Sequence, residues 1–317
     1  MSKEYINLTH HITDALAGQR LDQAVSKLLP EYSRARIQSW IKSGDIEVNG
    51  KTSKQKDIVK SGDKIVINTE LQNVIEIEPE AIPLNIVHED QDLIVINKPA
   101  GLVVHPGAGN PNQTLQNALL HFDEKLGLIP RAGIIHRLDK DTTGLMLIAR
   151  TLEAHTFLVE QLQQRNIKRE YLALVCGKLT SGGTLETNFG RHPTKRTRMA
   201  VTRNGKQATT HYRIHARYKH YTLLNIILDT GRTHQIRVHM AHIKHPIVGD
   251  SEYGKYQSLE KGIDQELKKC ISTFNRQALH AHQLTLPHPG NGAPLQLQAN
   301  LPEDMQTLIT QLDNYDE

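Results

Sequence analysis

The chain has 317 residues, 38% apolar and 23% charged, which fits a soluble globular protein with room for one large domain or two ordinary ones. Lysine and arginine (38) exceed aspartate and glutamate (34), a mild basic excess that permits a nucleic-acid partner without requiring one. Two cysteines, Cys176 and Cys270, exclude a disulfide framework and point to a reducing compartment.

The N-terminal run M-S-K-E-Y-I-N-L-T-H-H has no apolar signal core, and no stretch reaches membrane-span length. A cytoplasmic protein with no membrane partner is expected. Residues from about 12 to 70 read as a small module. Leu21, Ala24, Val25, Leu28 and Leu29 follow helical spacing, and Pro30 ends that helix. Ser33 is placed to cap a second helix with apolar Ile37, Trp40 and Ile41, closed by Gly44. Ile46 and Val48 alternate into the hairpin signal Asn49-Gly50, and Ser61-Gly62-Asp63 turns into a strand from Lys64 to Asn68. Arg34, Arg36, Lys42, Lys51, Lys54 and Lys56 surround these elements. Charge alone leaves a phosphate-binding surface and a solvated one equally open. Residues 69–83 turn acidic between prolines and read as a linker with one short strand.

From Leu84 the pattern is strand-rich, with two or three strands in I-V-H-E-D-Q-D-L-I-V-I-N-K-P-A-G-L-V-V-H-P-G. Thr114 is placed to cap a helix bearing Leu115, Leu119 and Leu120, and Ala154, Phe157, Leu158 and Leu162 mark another. Tyr171 to Cys176 is an unbroken apolar run, hence a central strand, and further strands are expected around His211–Ile214, Thr222–Leu228 and Leu279–Leu286. Leu301, Met305, Leu308, Ile309 and Leu312 give a final amphipathic helix. Strands with few helices between them predict a mixed α+β domain with a largely antiparallel sheet. No G-x-G-x-x-G or P-loop string is present.

The densest chemistry lies in A-G-I-I-H-R-L-D-K-D-T-T-G-L-M-L-I-A-R, Ala132 to Arg150. Two apolar runs, Ile134-Ile135 and Gly144 to Ala149, read as buried strands around a charged elbow. Buried charges need partners, so the elbow is either an ion-pair knot or an active site. Asp139, Asp141 and Thr143 also spell D-x-D-x-T, the nucleophile motif of haloacid-dehalogenase-type phosphatases. His136, Arg137 and Lys140 place cations where such a site needs magnesium, which argues against that reading.

Arg191 to Lys206 carries Arg191, Lys195, Arg196, Arg198, Arg203 and Lys206 with no acidic residue, the composition of an arm that meets phosphates. His234, His239, His242 and His245 invite a zinc reading, but cations interleave and no cysteine is near, so no metal is expected. His280 and His282 read as core or RNA-facing histidines.

The order of residues says more. R-L-D-Q-A-V-S-K-L-L at Arg20 to Leu29 and S-R-A-R-I-Q-S-W-I-K-S-G-D-I-E-V-N-G-K at Ser33 to Lys51 closely resemble the S4 RNA-binding domain. G-I-I-H-R-L-D-K-D-T-T-G-L-M resembles the signature of the RluA-type pseudouridine synthases. So do N-K-P-A-G-L-V-V-H-P-G at Asn97 to Gly107, K-R-E-Y-L-A-L-V at Lys168 to Val175, and T-G-R-T-H-Q-I-R-V-H-M-A-H-I-K-H-P-I-V-G-D at Thr230 to Asp250. The resemblance covers nearly the whole chain.

It implies an S4-like domain at 1–75, a linker at 76–86 and a catalytic domain of pseudouridine synthase fold at 87–317. It also implies Asp139 as catalytic residue, Tyr171 as active-site tyrosine and Arg237 as the arginine pairing with Asp139, and it leaves Asp141 structural. Without it, Tyr171 would read as a buried strand aromatic. Arg137 is the candidate to fill the gap left by a flipped uridine, its plainer reading being a phosphate contact. Arg34, Arg36, Lys42, Arg191, Lys195, Arg196 and Arg198 are expected to face RNA. Isomerising uridine changes no formula, so no cofactor is needed. Several strings resemble the subgroup acting on the helix 69 hairpin of bacterial 23S ribosomal RNA, with other 23S uridines as the alternative. The short acidic tail N-Y-D-E departs from that subgroup and bears on target choice. The expected partner is 23S rRNA or a large-subunit precursor, and the expected state a monomer. From a different class, a non-catalytic S4 factor in ribosome assembly would need the module but not Asp139.

Overall fold

The apolar periods of the N-terminal region close on one another in the computed structural model, which describes residues 5–29, 32, 34–70, 77–107, 109–254 and 263–316. The chain divides into two units, Met1–Glu76 and Ile77–Glu317. In the first, β1 (Tyr5–His11) precedes α1 (Leu21–Leu28) and α2 (Arg34–Ser43), followed by β2 (Ile46–Val48), β3 (Lys51–Thr52) and β4 (Lys64–Glu70). The four strands pair in the order β1-β4-β2-β3. Leu21, Val25, Ile37, Ile41, Ile46, Ile65 and Ile67 form the core. Each such buried side chain contributes on the order of 2 kcal/mol. Asn49 and Gly50 both take positive φ (53° and 74°), the conformation a tight hairpin needs and glycine adopts freely.

β1 lies before the expected start of the module: Ile6 turns inward while Asn7 and Thr9 are exposed. Pro30, Ser33 and residues 71–76 of the expected linker lie outside the described residues, as does the side chain of Arg36. Asp22 is fully buried on α1 and gathers Arg20, Arg34 (2.8 Å) and Gln38. Burial works against its charge, but those hydrogen bonds prevail and hold its pKa at about 2.

The second unit continues with β5 (Ile86–Glu89), β6 (Leu93–Lys98), α3 (Leu115–Phe122), β7 (Thr143–Ala149), α4 (Leu152–Gln163), β8 (Lys168–Cys176), β9 (Gly183–Arg191) and β10 (Met199–Val201). Then come β11 (Lys206–Arg217), β12 (Tyr221–Leu228), α5 (Gln235–His242), α6 (Gln265–Thr273), β13 (Leu279–Pro287), β14 (Pro294–Gln298) and α7 (Glu303–Asp316). The sheet runs β10-β9-β11-β12-β8-β13-β7-β6-β5, with β14 added to β13. Every neighbour pair in this sheet is antiparallel except β13 with β7, so the unit is α+β with a largely antiparallel sheet.

Alternation along β6 and β7 feeds two cores. Ile94, Ile96, Met146 and Ile148 pack with α3, α5 and α7, whereas Leu93, Val95, Leu145 and Leu147 pack with α4 and β14. Burial on both faces is why β7 and the centre of β8 read as continuous apolar runs. Residues 77–85 cross the start of α3, where Glu78 and Glu80 bond Asn117 and Gln113. No helix among the described residues is long and apolar enough to cross a membrane.

One expected strand is absent. Ile134 makes only an isolated bridge to Ile148, and the segment before it is a short helical turn with Arg131 and Ala132 at positive φ. Positive φ at two non-glycine residues breaks any extended run, so only the second apolar stretch forms a strand.

Candidate active site

The elbow is a loop between Ile134 and β7, gripped from several sides. Leu138 is buried and anchors it, leaving Arg137 exposed and Asp139 partly exposed. His136 accepts the Leu147 N–H at Nε2 (3.0 Å), meeting a β7 donor, and burial pushes its pKa down to about 3. Lys98, wholly buried at the end of β6, donates from Nζ to the carbonyls of Pro99 (2.8 Å), Leu102 (3.0 Å) and Lys140 (2.8 Å). Burial brings its pKa down to about 7, although Asp141 and Asp139 favour its charge. Arg276 bonds the Asp141 carbonyl (3.3 Å) while held by Asp304 of α7, and Gln277 donates to Thr142 (2.9 Å). Gly144 lies so close to β13 that a Cβ would strike the Ala281 backbone, and its φ is +114°.

Arg237, on the first turn of α5, is nearly buried and faces four carboxylate oxygens. Nε and Nη2 pair with both oxygens of Asp250 (2.7 and 3.0 Å), Nη1 reaches Asp139 Oδ2 (3.2 Å), and Nη2 reaches Glu252 (3.3 Å). Burial disfavours the guanidinium charge, but bonds to Asp250 and the charges of Asp250 and Asp139 raise its pKa further. Asp250, with no side-chain exposure, is held below the usual carboxylate range because Arg237 outweighs its burial. His234, the residue before α5, sets Nε2 at 3.8 Å from Asp139 Oδ1. Tyr171 is buried on β8; burial raises its phenol pKa and the nearby Asp139 charge adds to the rise.

The structure thus brings together Asp139, Arg237 and Tyr171, residues taken from three separate strings. On β9–β10, Lys195 and Arg196 are exposed at the hairpin tip, Arg191 bonds the Arg196 carbonyl, and Arg198 turns toward Glu252 (3.8 Å). In the first unit, Arg34 and Lys42 are exposed, although Arg34 already pairs with Asp22. Lys98, His234, Asp250, Glu252 and Tyr253 also build the site. The signals of Lys98, His234 and Asp250, in N-K-P, T-H-Q-I-R and V-G-D, stood in the matched strings without any spacing rule to mark them, and Glu252 and Tyr253 lie just beyond those strings.

The histidines of the zinc reading go to different partners: His239 to Thr187 and Thr210, His245 to the Cys176 carbonyl. His88, Asp90 and His288 do have ligand-like proximity. However, the Gly290 N–H donates to His288 Nδ1 (3.1 Å), so Nε2 carries the proton and gives it to Asp90 (2.8 Å). A metal would need that Nε2 lone pair, so the trio is a hydrogen-bonded clamp between β5 and the β13–β14 turn.

Residues 92–242, which include Asp139, Tyr171 and Arg237, match the RNA pseudouridylate synthase family, and residues 19–65 match the S4 domain. The chain is 52% identical over 305 residues to ribosomal large subunit pseudouridine synthase D of Escherichia coli (strain K12), covering 96% of this chain and 94% of that one. It is 51% identical over 310 residues to the protein of the same name from Haemophilus ducreyi, covering 98% and 95%. Among solved structures, Human RNA Pseudouridylate Synthase Domain Containing 4 superposes with a TM-score of 0.58 at 27% identity, covering 72% of this chain and 93% of that one.

Proposed function

The chain belongs to the RNA pseudouridylate synthase family, an enzyme family with an S4 module here, and we propose that it isomerises uridine in large-subunit ribosomal RNA with Asp139 as the catalytic carboxylate. The observation that carries the residue assignment is the pairing of partly exposed Asp139 with Arg237, beside buried Tyr171. The reaction breaks the bond from uracil N1 to the ribose, turns the base and rejoins it through C5. N1 gains a proton and C5 loses one, so the formula is unchanged. One ionised carboxylate suffices, either as nucleophile on the ribose or as base toward a ribose proton. Arg237 occupies Oδ2, while the nearest basic nitrogen to Oδ1 is His234 at 3.8 Å, so Oδ1 is the oxygen left for substrate.

A uridine stacked in folded RNA must be flipped to reach Asp139. Exposed Arg137, separated from Asp139 by one buried leucine, fills the vacated place. Tyr171 stacks on the base. Lys195 and Arg196, together with Arg191 and Arg198, meet phosphates, as do Arg34, Arg36 and Lys42 of the S4 module.

Similarity to the large subunit pseudouridine synthases D supports 23S rRNA as substrate, and the helix 69 hairpin is the target we favour. The enzyme acts in the cytoplasm as a monomer in this reading, with the S4 domain at 1–75 and the catalytic domain at 87–317 joined by residues 76–86. Mapping pseudouridines in rRNA from cells lacking the gene tests the target. Loss confined to helix 69 is expected, and loss elsewhere in 23S rRNA with helix 69 intact would overturn the choice.

A further inference from the structure

We propose that Tyr253 is a positioning residue for the isomerisation, holding His234 in the tautomer that presents an N–H to Asp139 and tying that arrangement to the basic hairpin through Met199. The inference rests on Asp139 being the catalytic carboxylate.

The Tyr253 hydroxyl accepts the Met199 N–H (3.0 Å) and lies 2.9 Å from His234 Nδ1. With its lone pair facing the Met199 donor, the phenol has its single proton left for Nδ1. A neutral imidazole that accepts at Nδ1 carries its own proton on Nε2, the nitrogen 3.8 Å from Asp139 Oδ1. His234 therefore faces the carboxylate as a donor, within reach of a substrate oxygen seated between them. Burial, aided by Arg237, keeps the imidazole below its ordinary pKa against the pull of Asp139, Glu252 and Asp250.

The bracket that carries Tyr253 is fixed. Asp250 Oδ1 accepts the N–H groups of Glu252 and Tyr253 (2.9 and 3.0 Å), and the Arg237 guanidinium lies 5.0 Å from the Tyr253 ring. His234 itself sits at φ 58°, a left-handed conformation that its neighbours must impose. Glu252 meets Arg237 (3.3 Å) and His234 (3.4 Å) on one side and Arg198 of the hairpin (3.8 Å) on the other. Hairpin and catalytic pair thus share one short segment.

The test is single-turnover pseudouridine formation on a target RNA hairpin by Tyr253→Phe, His234→Ala and the double variant, with Asp139→Asn alongside. Phenylalanine keeps the ring against Arg237 and removes only the hydroxyl. Tyr253→Phe is expected to slow the chemical step roughly ten-fold with RNA affinity within about two-fold of wild type. In the His234→Ala background it should cost nothing further, because both changes remove one arrangement. His234→Gln, which offers an amide N–H without Tyr253, should recover part of the rate lost in His234→Ala. Additive losses, or a Tyr253→Phe rate equal to wild type while Asp139→Asn is inactive, would overturn this inference alone. An active Asp139→Asn would remove the catalytic assignment and this inference with it.

Discussion

Arg237 reaches Asp139 with one amino group at 3.2 Å while its Nε and other amino group grip Asp250 at 2.7 and 3.0 Å. Asp250 positions the guanidinium, which is then presented to Asp139. Replacing Asp250 leaves a buried cation short of its main partner, a change that costs about 3–5 kcal/mol. Asp250→Asn should lower the unfolding midpoint and, by releasing Arg237, the rate. Asp250 titrates below its ordinary 3.8, so its stabilisation is complete above that value and is lost as pH falls through the lower folded value. Unfolding midpoints across the acid range should fall more steeply for wild type than for Asp250→Asn. Parallel curves would contradict the pairing.

Lys98 gives a slope of the same sign in a different pH window. Its pKa is about 7 in the folded chain against 10.5 ordinarily, so between those values the unfolded chain holds the extra proton. Stability should therefore rise with pH through that window. Lys98→Met should lack the rise, and its loss of the Lys140 carbonyl contact should lower turnover more than RNA binding. Chemical denaturation from neutral to alkaline pH measures the first, single-turnover kinetics the second.

Gly144→Ala tests the packing under the loop. The new methyl would strike the Ala281 backbone from a φ of +114°, a clash that neither strand can relieve by rotating a side chain. A loss of roughly 3 kcal/mol or more is expected, read as a lowered melting temperature or loss of soluble protein. A melting temperature equal to wild type would show that β7 and β13 do not approach this closely.

Arg137→Ala should slow modification of a folded RNA hairpin, with the deficit shrinking on RNA whose target uridine is already unpaired. Lys195→Ala with Arg196→Ala should instead weaken binding to every RNA and flatten its salt dependence by up to about two phosphate contacts. An equal Arg137 deficit on both substrates would return that residue to a plain phosphate contact.

Helices with one apolar face and strands buried on both faces were legible because their residues repeat at fixed periods. β1 and β9 escaped notice because their outward residues are polar and only Ile6 and Phe189 of their described side chains are buried, and Ile134-Ile135 misled because left-handed residues just upstream are invisible to an apolar count. The charged elbow announced chemistry by its density. Its supports did not: Lys98 is explained only by three carbonyls from two segments, and His234 only by Asp139, Glu252 and Tyr253, which are distant in sequence.

The most direct measurement is pseudouridine formation by purified Asp139→Asn on a 23S-derived RNA hairpin. Asn removes the charge, yet Arg237 keeps Asp250 and Glu252, so the variant should fold and bind RNA nearly as wild type does. Its single-turnover rate should fall by at least about a thousand-fold. Pseudouridine formed at a rate near that of wild type would contradict the account.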